Sequence, residues 1–268
     1  MAHIHSNALI GASGAAGAGG DAYIIPKSLR FNSGDDAFLN RTPSADGNRR
    51  TWTWSGWVKR SKLGSPLQVF FEAKQDGNDY TAVYFTTSDE LKFEDYSSNT
   101  LQSALVTDQL FRDCSSFYHI VVAVDTTQAT SSNRTKIYIN GSQVTSFSTE
   151  TYISQNNETY VNSTQQHRIG DGQASNQNFN GLLADVQLVD GLQLAPTDFG
   201  ETRSSDGVWV PKEFTRTSPN NGTTWSSLIS NANSSYPATN LFNGDVTNYT
   251  EGTSGGGDVT FSGGTISG

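Results

Sequence analysis

From residue 28 to residue 191 the chain is written in short runs of alternating apolar and polar residues, each closed by a cluster of turn formers. Period-two alternation puts every second side chain on one face of a pleated strand, and many short runs split by Gly, Asn, Asp, Ser and Pro are the pattern of an all-β sandwich. The runs are SLRFN, AFLNR, RTWTWSGWVKR, PLQVFFEAK, YTAVYFTT, ELKFED, TLQSALVT, FYHIVVAVD, RTKIYI, SQVTSF, QHRIGDG and GLLADVQLVDG. Few stretches carry a helical period. The sharpest local signal is KIYINGSQVTSF, in which Asn140-Gly141 separates two alternating segments. That pair predicts a two-residue hairpin, because the turn needs positive φ at both central positions. VFFEAKQDGNDYTAVYF and DELKFEDYSSNTLQSALV predict two more hairpins, and consecutive hairpins build antiparallel sheets.

Composition agrees with strands and narrows the partners. Charged residues are 16% of the chain, so its polarity rests on Ser, Thr, Asn, Gln and Gly, which compete for backbone hydrogen bonds inside helices and favour turns. A net charge of −9 argues against nucleic acid as the main partner. Neutral sugars stay compatible. The single cysteine, Cys114, forms no internal disulfide and reads as a buried free thiol, and no Cys/His spacing suggests zinc. No apolar run reaches membrane-span length and the start of the chain lacks a signal-peptide layout, so no membrane partner is expected. NRT, NET, NST and NGT match the glycosylation pattern, but a chain rich in Asn, Ser and Thr produces such matches by chance.

Four segments are expected. Residues 1–27, rich in Ala and Gly, have no periodicity with which to bury a face and read as an extended docking arm. Residues 28–200 form the sandwich, and residues 201–215, punctuated by Gly and Pro, a strap or linker. Residues 216–268 have apolar residues only in the islands TWSSLI, YPATNLFNG and DVTFSGGTI, too few for an independent core. They read as the start of a second β-rich module, incomplete alone: either the natural chain continues, or this part completes its fold against another subunit.

Five elements, in order, carry a family resemblance: SLRFNSGDDAFLNRT, TWTWSGWVKR, FYHIVVAVDTTQ, TKIYINGSQV and FNGLLADVQLVDGLQLAPTDFG. Together they resemble the laminin-G-like branch of the concanavalin A-like lectin/glucanase superfamily. The resemblance implies a two-sheet antiparallel jelly-roll sandwich with ligands on one sheet face or on rim loops. NRRTWTWSGWVKR and DFGETRSSDGVWVPKEF are similar to domains in virion proteins of marine tailed bacteriophages, and YPATNLFNGD is similar to the first strands of galactose-binding sandwiches. What this implies is a non-enzymatic virion structural protein, a capsid decoration or tail fibre, attached to other virion proteins through residues 1–27. It also implies a homo-oligomer, with a trimer as the family-based guess, and weak adhesion to a cell-surface glycan. The alternative is a dedicated carbohydrate-binding lectin module. A glycoside hydrolase ranks below both, because glucanase members carry two Glu flanking an Asp on one strand, and ELKFEDY has Glu90, Glu94 and Asp95 at the wrong spacing.

Alternation in TWTWSGWVK puts Trp52, Trp54, Gly56 and Val58 on one face, which reads as core, and Thr51, Thr53, Ser55, Trp57 and Lys59 on the other. Trp57 is therefore either a groove platform for a sugar or a residue covered by a loop or a neighbouring subunit. Asn78, Asp79 and Asn99 lie in hairpin loops that would line a groove mouth. Asp35, Asp36 and Asp171 occupy Gly-rich turns. They are either calcium ligands, as the resemblance implies, or carboxylates that cap their own turns. No cofactor is required by this reading. His119 has no nucleophile or second His at useful spacing and reads as a structural histidine, and Asp185 as a carboxylate in a structural hydrogen bond.

Overall fold

The computed structural model describes residues 23–172, 174 and 176–215. Fifteen strands follow in chain order: β1 (Leu29–Phe31), β2 (Leu39–Arg41), β3 (Thr51–Arg60), β4 (Gln68–Asp76), β5 (Asp79–Phe85), β6 (Glu90–Ser97), β7 (Thr100–Leu110), β8 (Tyr118–Asp125), β9 (Thr135–Ile139), β10 (Ser142–Gln143), β11 (Phe147–Thr151), β12 (Gln166–Ile169), β13 (Gly181–Asp190), β14 (Gly200–Thr202) and β15 (Trp209–Pro211). They build a six-stranded sheet, β1-β13-β3-β8-β9-β10, and a seven-stranded sheet, β11-β7-β6-β5-β4-β12-β2, with β14 and β15 paired separately. The strand pairings within these sheets are antiparallel. This is the jelly-roll-like sandwich that alternation and the resemblance implied.

Asn140 at φ 48° and Gly141 at φ 83° make the expected tight hairpin, with Ser142 opposite Ile139. The β6–β7 hairpin turns in the same way through Ser98 at φ 52° and Asn99 at φ 58°, with Ser97 opposite Thr100. Between the sheets lies one aromatic core. Trp52 and Trp54 are fully buried, as expected, and Trp54 packs on Phe70 at 5.3 Å. Gly56 makes this possible, since a Cβ there would stand 2.7 Å from the Trp54 ring. The edge strands β1 and β2 border a groove of about 510 Å³ lined by Leu29, Phe31, Leu39, Ile169 and Leu183.

Alternation misjudged the outer face of the six-stranded sheet. Thr53, Ser55, Val121 and Ala123 are as buried as the core, because the segment after β13 folds back over them. Thr53 Oγ donates to the Leu192 carbonyl at 2.7 Å and accepts from Leu194 N at 2.9 Å, while Gln193 donates to the Ala123 carbonyl at 3.3 Å. Within residues 201–215, expected as a strap or linker, β15 pairs with β14 in a short hairpin.

Of the expected arm, residues 23–27 are described; Tyr23 donates to Asp185 at 3.4 Å. Asp185 sits at φ 46° in an irregularity of β13 and also accepts from Gln187 at 3.0 Å, the structural role read from the sequence. A second unit begins at Phe214, and residues 1–22 and 216–268 lie outside the described residues.

Candidate functional site

The outward face of the seven-stranded sheet carries the richest polar and aromatic chemistry among the described residues. Period two projects Glu72 and Lys74 from β4, Tyr80, Ala82 and Tyr84 from β5, and Lys92, Glu94 and Tyr96 from β6 to this side, opposite Val83, Phe85 and Phe93 in the core. Register brings them together: Tyr80 lies across from Tyr96, Ala82 between Glu72 and Glu94, and Tyr84 across from Lys92. Arg168 on β12 extends the row beside Glu72.

Glu94 is the centre of this face. Its Oε2 accepts from the hydroxyls of Tyr80 at 3.0 Å and Tyr84 at 2.9 Å, and its Oε1 pairs with Lys92. Ala82, opposite Glu94 and between the two tyrosines on β5, packs with both of them. Burial, and then the Glu94 charge, push both phenol pKa values up, so the hydroxyls stay protonated and donate. The Tyr80 and Tyr96 rings stack at 5.2 Å with 20° between their planes, and the Lys74 ammonium lies 5.8 Å from the Tyr80 ring centre. The result is a pre-set surface of two partly exposed rings, Tyr80 and Tyr96, and two ammonium groups, over buried Tyr84, Glu72 and Glu94.

Asn78, Asp79 and Asn99 are brought together at the hairpin tips that border this face. Asn99 N donates to the Asn78 carbonyl at 3.2 Å, and Asp79 Oδ1 accepts from Ser98 N at 2.7 Å and from the Tyr160 hydroxyl at 2.5 Å. Those two bonds, that of Tyr160 first, hold the Asp79 carboxyl below its usual pKa. The tyrosine and glutamate rows were overlooked in the sequence. Their signal was the alternation in YTAVY and KFEDY, but the adjacency of those runs depends on register.

Trp57 lies elsewhere, on the outer face of the six-stranded sheet. It is 5% exposed, stacked on His119 at 4.8 Å, and His119 stacks in turn on Trp209 of the strap at 6.0 Å. Its burial matches the covered reading rather than an open platform. Trp209 Nε1 donates to His119 Nδ1 at 3.0 Å, which leaves the imidazole proton on Nε2, facing Ser55 Oγ at 2.9 Å. In that tautomer His119 donates to Ser55 and cannot act as its base, and burial lowers its pKa to about 4.

The acidic turn residues have separate partners. Asp35 accepts from Asn32 at 2.9 Å, Asp36 from Asn178 at 2.9 Å, and Asp171 from Arg168 at 2.6 Å. Among the described residues no group of three or more His, Cys, Asp or Glu gathers to hold a metal ion.

The family model Laminin_G_3, of the concanavalin A-like lectin/glucanases superfamily, matches residues 32–195. A search of curated proteins gave no match. Among solved structures the chain is similar to the native heptameric SAP-like pentraxin from Limulus polyphemus, with 17% identity, a TM-score of 0.42, and coverage of 60% of this chain and 74% of that one. It is similar to domain 4 of AbnA, an extracellular arabinanase from Geobacillus stearothermophilus solved with arabinotriose, at 16% identity and a TM-score of 0.41 over 56% of this chain and 65% of that one. For mouse laminin alpha1 chain domains LG4-5 the values are 9% and 0.42, over 60% of this chain and 40% of that one. With two antiparallel sheets in place and the family model spanning more than half of its residues, this chain belongs to the concanavalin A-like lectin/glucanases superfamily.

Proposed function

We propose that this chain is a non-enzymatic display module that binds a glycan on the outward face of its seven-stranded sheet. The observation that carries the reading is the Tyr80–Tyr96 stack beside the Glu94 cluster. Sugars are held by ring faces stacked against their C–H surfaces and by charged groups bonded to their hydroxyls, and this face supplies both in a fixed arrangement. Asn78, Asp79 and Asn99 would form its rim.

The setting proposed is the exterior of a tailed-phage particle, as capsid decoration or tail appendage, with the arm of residues 1–27 docking on other virion proteins in a homo-oligomer. Support comes from the resemblance carried by NRRTWTWSGWVKR and DFGETRSSDGVWVPKEF. The alternative, a dedicated lectin module, uses the same face.

A hydrolase would need a free carboxylate pair. Glu72 and Glu94 flank Ala82 two strand spacings apart, roughly 10 Å between backbones, but Glu94 is held by two phenols and an ammonium, and Glu72 lies 3.9 Å from Lys74. Neither is poised to pass a proton.

A glycan array probed with the full chain tests the binding reading, with Tyr96→Ala as the control variant. Binding to a defined glycan that Tyr96→Ala weakens about tenfold is expected; a clean array from folded protein overturns it. Antibody labelling of intact particles tests the setting.

A further inference from the structure

The ion pairs on the glycan face bear on what it selects. Three cations stand in or beside the face, and each has an acidic partner within reach: Lys92 with Glu94, Lys74 with Glu72 at 3.9 Å, and Arg168 with Asp171 at 2.6 Å. The two lysine pairs follow an i, i+2 spacing along one strand, the period that keeps both partners on the same side of the sheet. Glu72 and Glu94 are nearly fully buried, at 3% and 6% exposure, so their charges are fixed just beneath the surface.

We infer that this face selects uncharged saccharides and discriminates against anionic ones. The inference rests on the glycan-binding reading above and names the ligand class of that site. An anionic ligand gains affinity when its charge meets an unpaired cation. Here it meets lysines whose charge is already matched, and it approaches two buried carboxylates of its own sign. The protein as a whole carries −9, which adds long-range repulsion. A neutral sugar meets no such barrier. Its hydroxyls bond to the Lys74 and Lys92 ammonium groups, held in place by their glutamates, and its apolar faces lie against Tyr80 and Tyr96. The ligand lies across β6, β5, β4 and β12, because the row of Glu94, Ala82, Glu72 and Arg168 runs across the strands.

The same pairing supplies a switch of specificity. Glu94→Gln keeps an acceptor for the tyrosine hydroxyls but removes the charge that matches Lys92. In that variant Lys92 stands unpaired on the face.

The test uses the full chain, a neutral oligosaccharide panel and a matched sialylated or sulfated panel, each titrated at low and high salt. Wild type is expected to bind only neutral members, with affinity changing less than about twofold between 0.05 and 0.5 M NaCl. Glu94→Gln is expected to gain at least about tenfold for anionic members at low salt and to lose that gain at high salt. Preferential binding of anionic glycans by wild type, with steep salt dependence, overturns the inference and leaves the glycan-binding reading standing. Absence of binding to either panel by folded protein overturns both. Neutral binding with no anionic gain in Glu94→Gln overturns the charge-pairing argument, and circular dichroism of the variant checks that its fold is intact.

Discussion

Trp209 and His119 lock the strap to the sandwich through one hydrogen bond, indole Nε1 to imidazole Nδ1 at 3.0 Å, with the rings stacked at 6.0 Å. Because His119 must accept at Nδ1 and is fully buried, it has to be neutral. This contact and the Leu192–Leu194 segment lie on the outer face of the six-stranded sheet, where Thr53, Ser55 and His119 are buried.

Acid should therefore weaken the molecule through His119. Burial lowers its pKa from 6.5 to about 4, so the unfolded chain binds the proton more readily than the folded one. The stabilising contribution is complete above pH 6.5, declines as pH falls towards 4, and by then has cost up to about 3 kcal/mol. Urea melts at pH 7 and pH 4 should show this loss in wild type and a smaller one in His119→Gln. Equal losses would remove His119 from the account.

Asp95 should act in the opposite direction. It neighbours Glu94 in sequence but points into the sandwich, fully buried, with Thr81 Oγ at 2.5 Å. Burial raises its pKa from 3.8 to about 7. A raised folded-state pKa means that the contribution is present below pH 3.8 and is lost as pH rises through 7. Asp95→Asn removes the ionisation and should stabilise the protein at pH 9 by about 3 kcal/mol more than at pH 5. Thermal melts of both proteins at pH 5 and pH 9 measure the difference, and a gain independent of pH would contradict it.

Removing Asp89 should be severe. The Arg60 guanidinium is fully buried, 3.0 Å from Asp89 and 4.4 Å from the Phe85 ring centre, with Nη1 on the Phe111 carbonyl at 2.7 Å. Asp89→Ala leaves that charge uncompensated and frees the Gly64 N–H, for a loss of about 3–5 kcal/mol in urea unfolding. Arg112→Ala touches the same carboxylate from an exposed position, 59% accessible, and should cost less than about 1 kcal/mol.

Gly141→Ala should loosen both the β9–β10 hairpin and the strap. The residue sits at φ +83°, and a Cβ there would lie 2.5 Å from the Trp209 ring. Left-handed strain and ring displacement together should cost about 2 kcal/mol or more. Displaced from His119, Trp209 becomes solvated, so tryptophan emission should shift to longer wavelength. Unchanged emission and stability would show that the strap tolerates the methyl group.

By itself the sequence determined the strands, the Asn140-Gly141 turn and the burial of Trp52 and Trp54, because alternation and turn chemistry are local properties of consecutive residues. It also showed Trp57 on the face opposite the core. It did not show that the face was covered, since the covering residues lie more than a hundred positions downstream. The covering segment shows why periodicity fails there: β3 is buried on both sides, with Thr53 satisfied by Leu192 and Leu194 and Ser55 by His119. The outward face of the seven-stranded sheet shows a second limit. Tyr80, Tyr84, Glu94 and Tyr96 are each readable as outward residues, yet their meeting depends on the pairing of β5 with β6, and a one-residue slip of either strand would turn that strand's pair inward. Which residues face out was a matter of local pattern; which of them meet was decided by register and by the strap, both products of the whole fold.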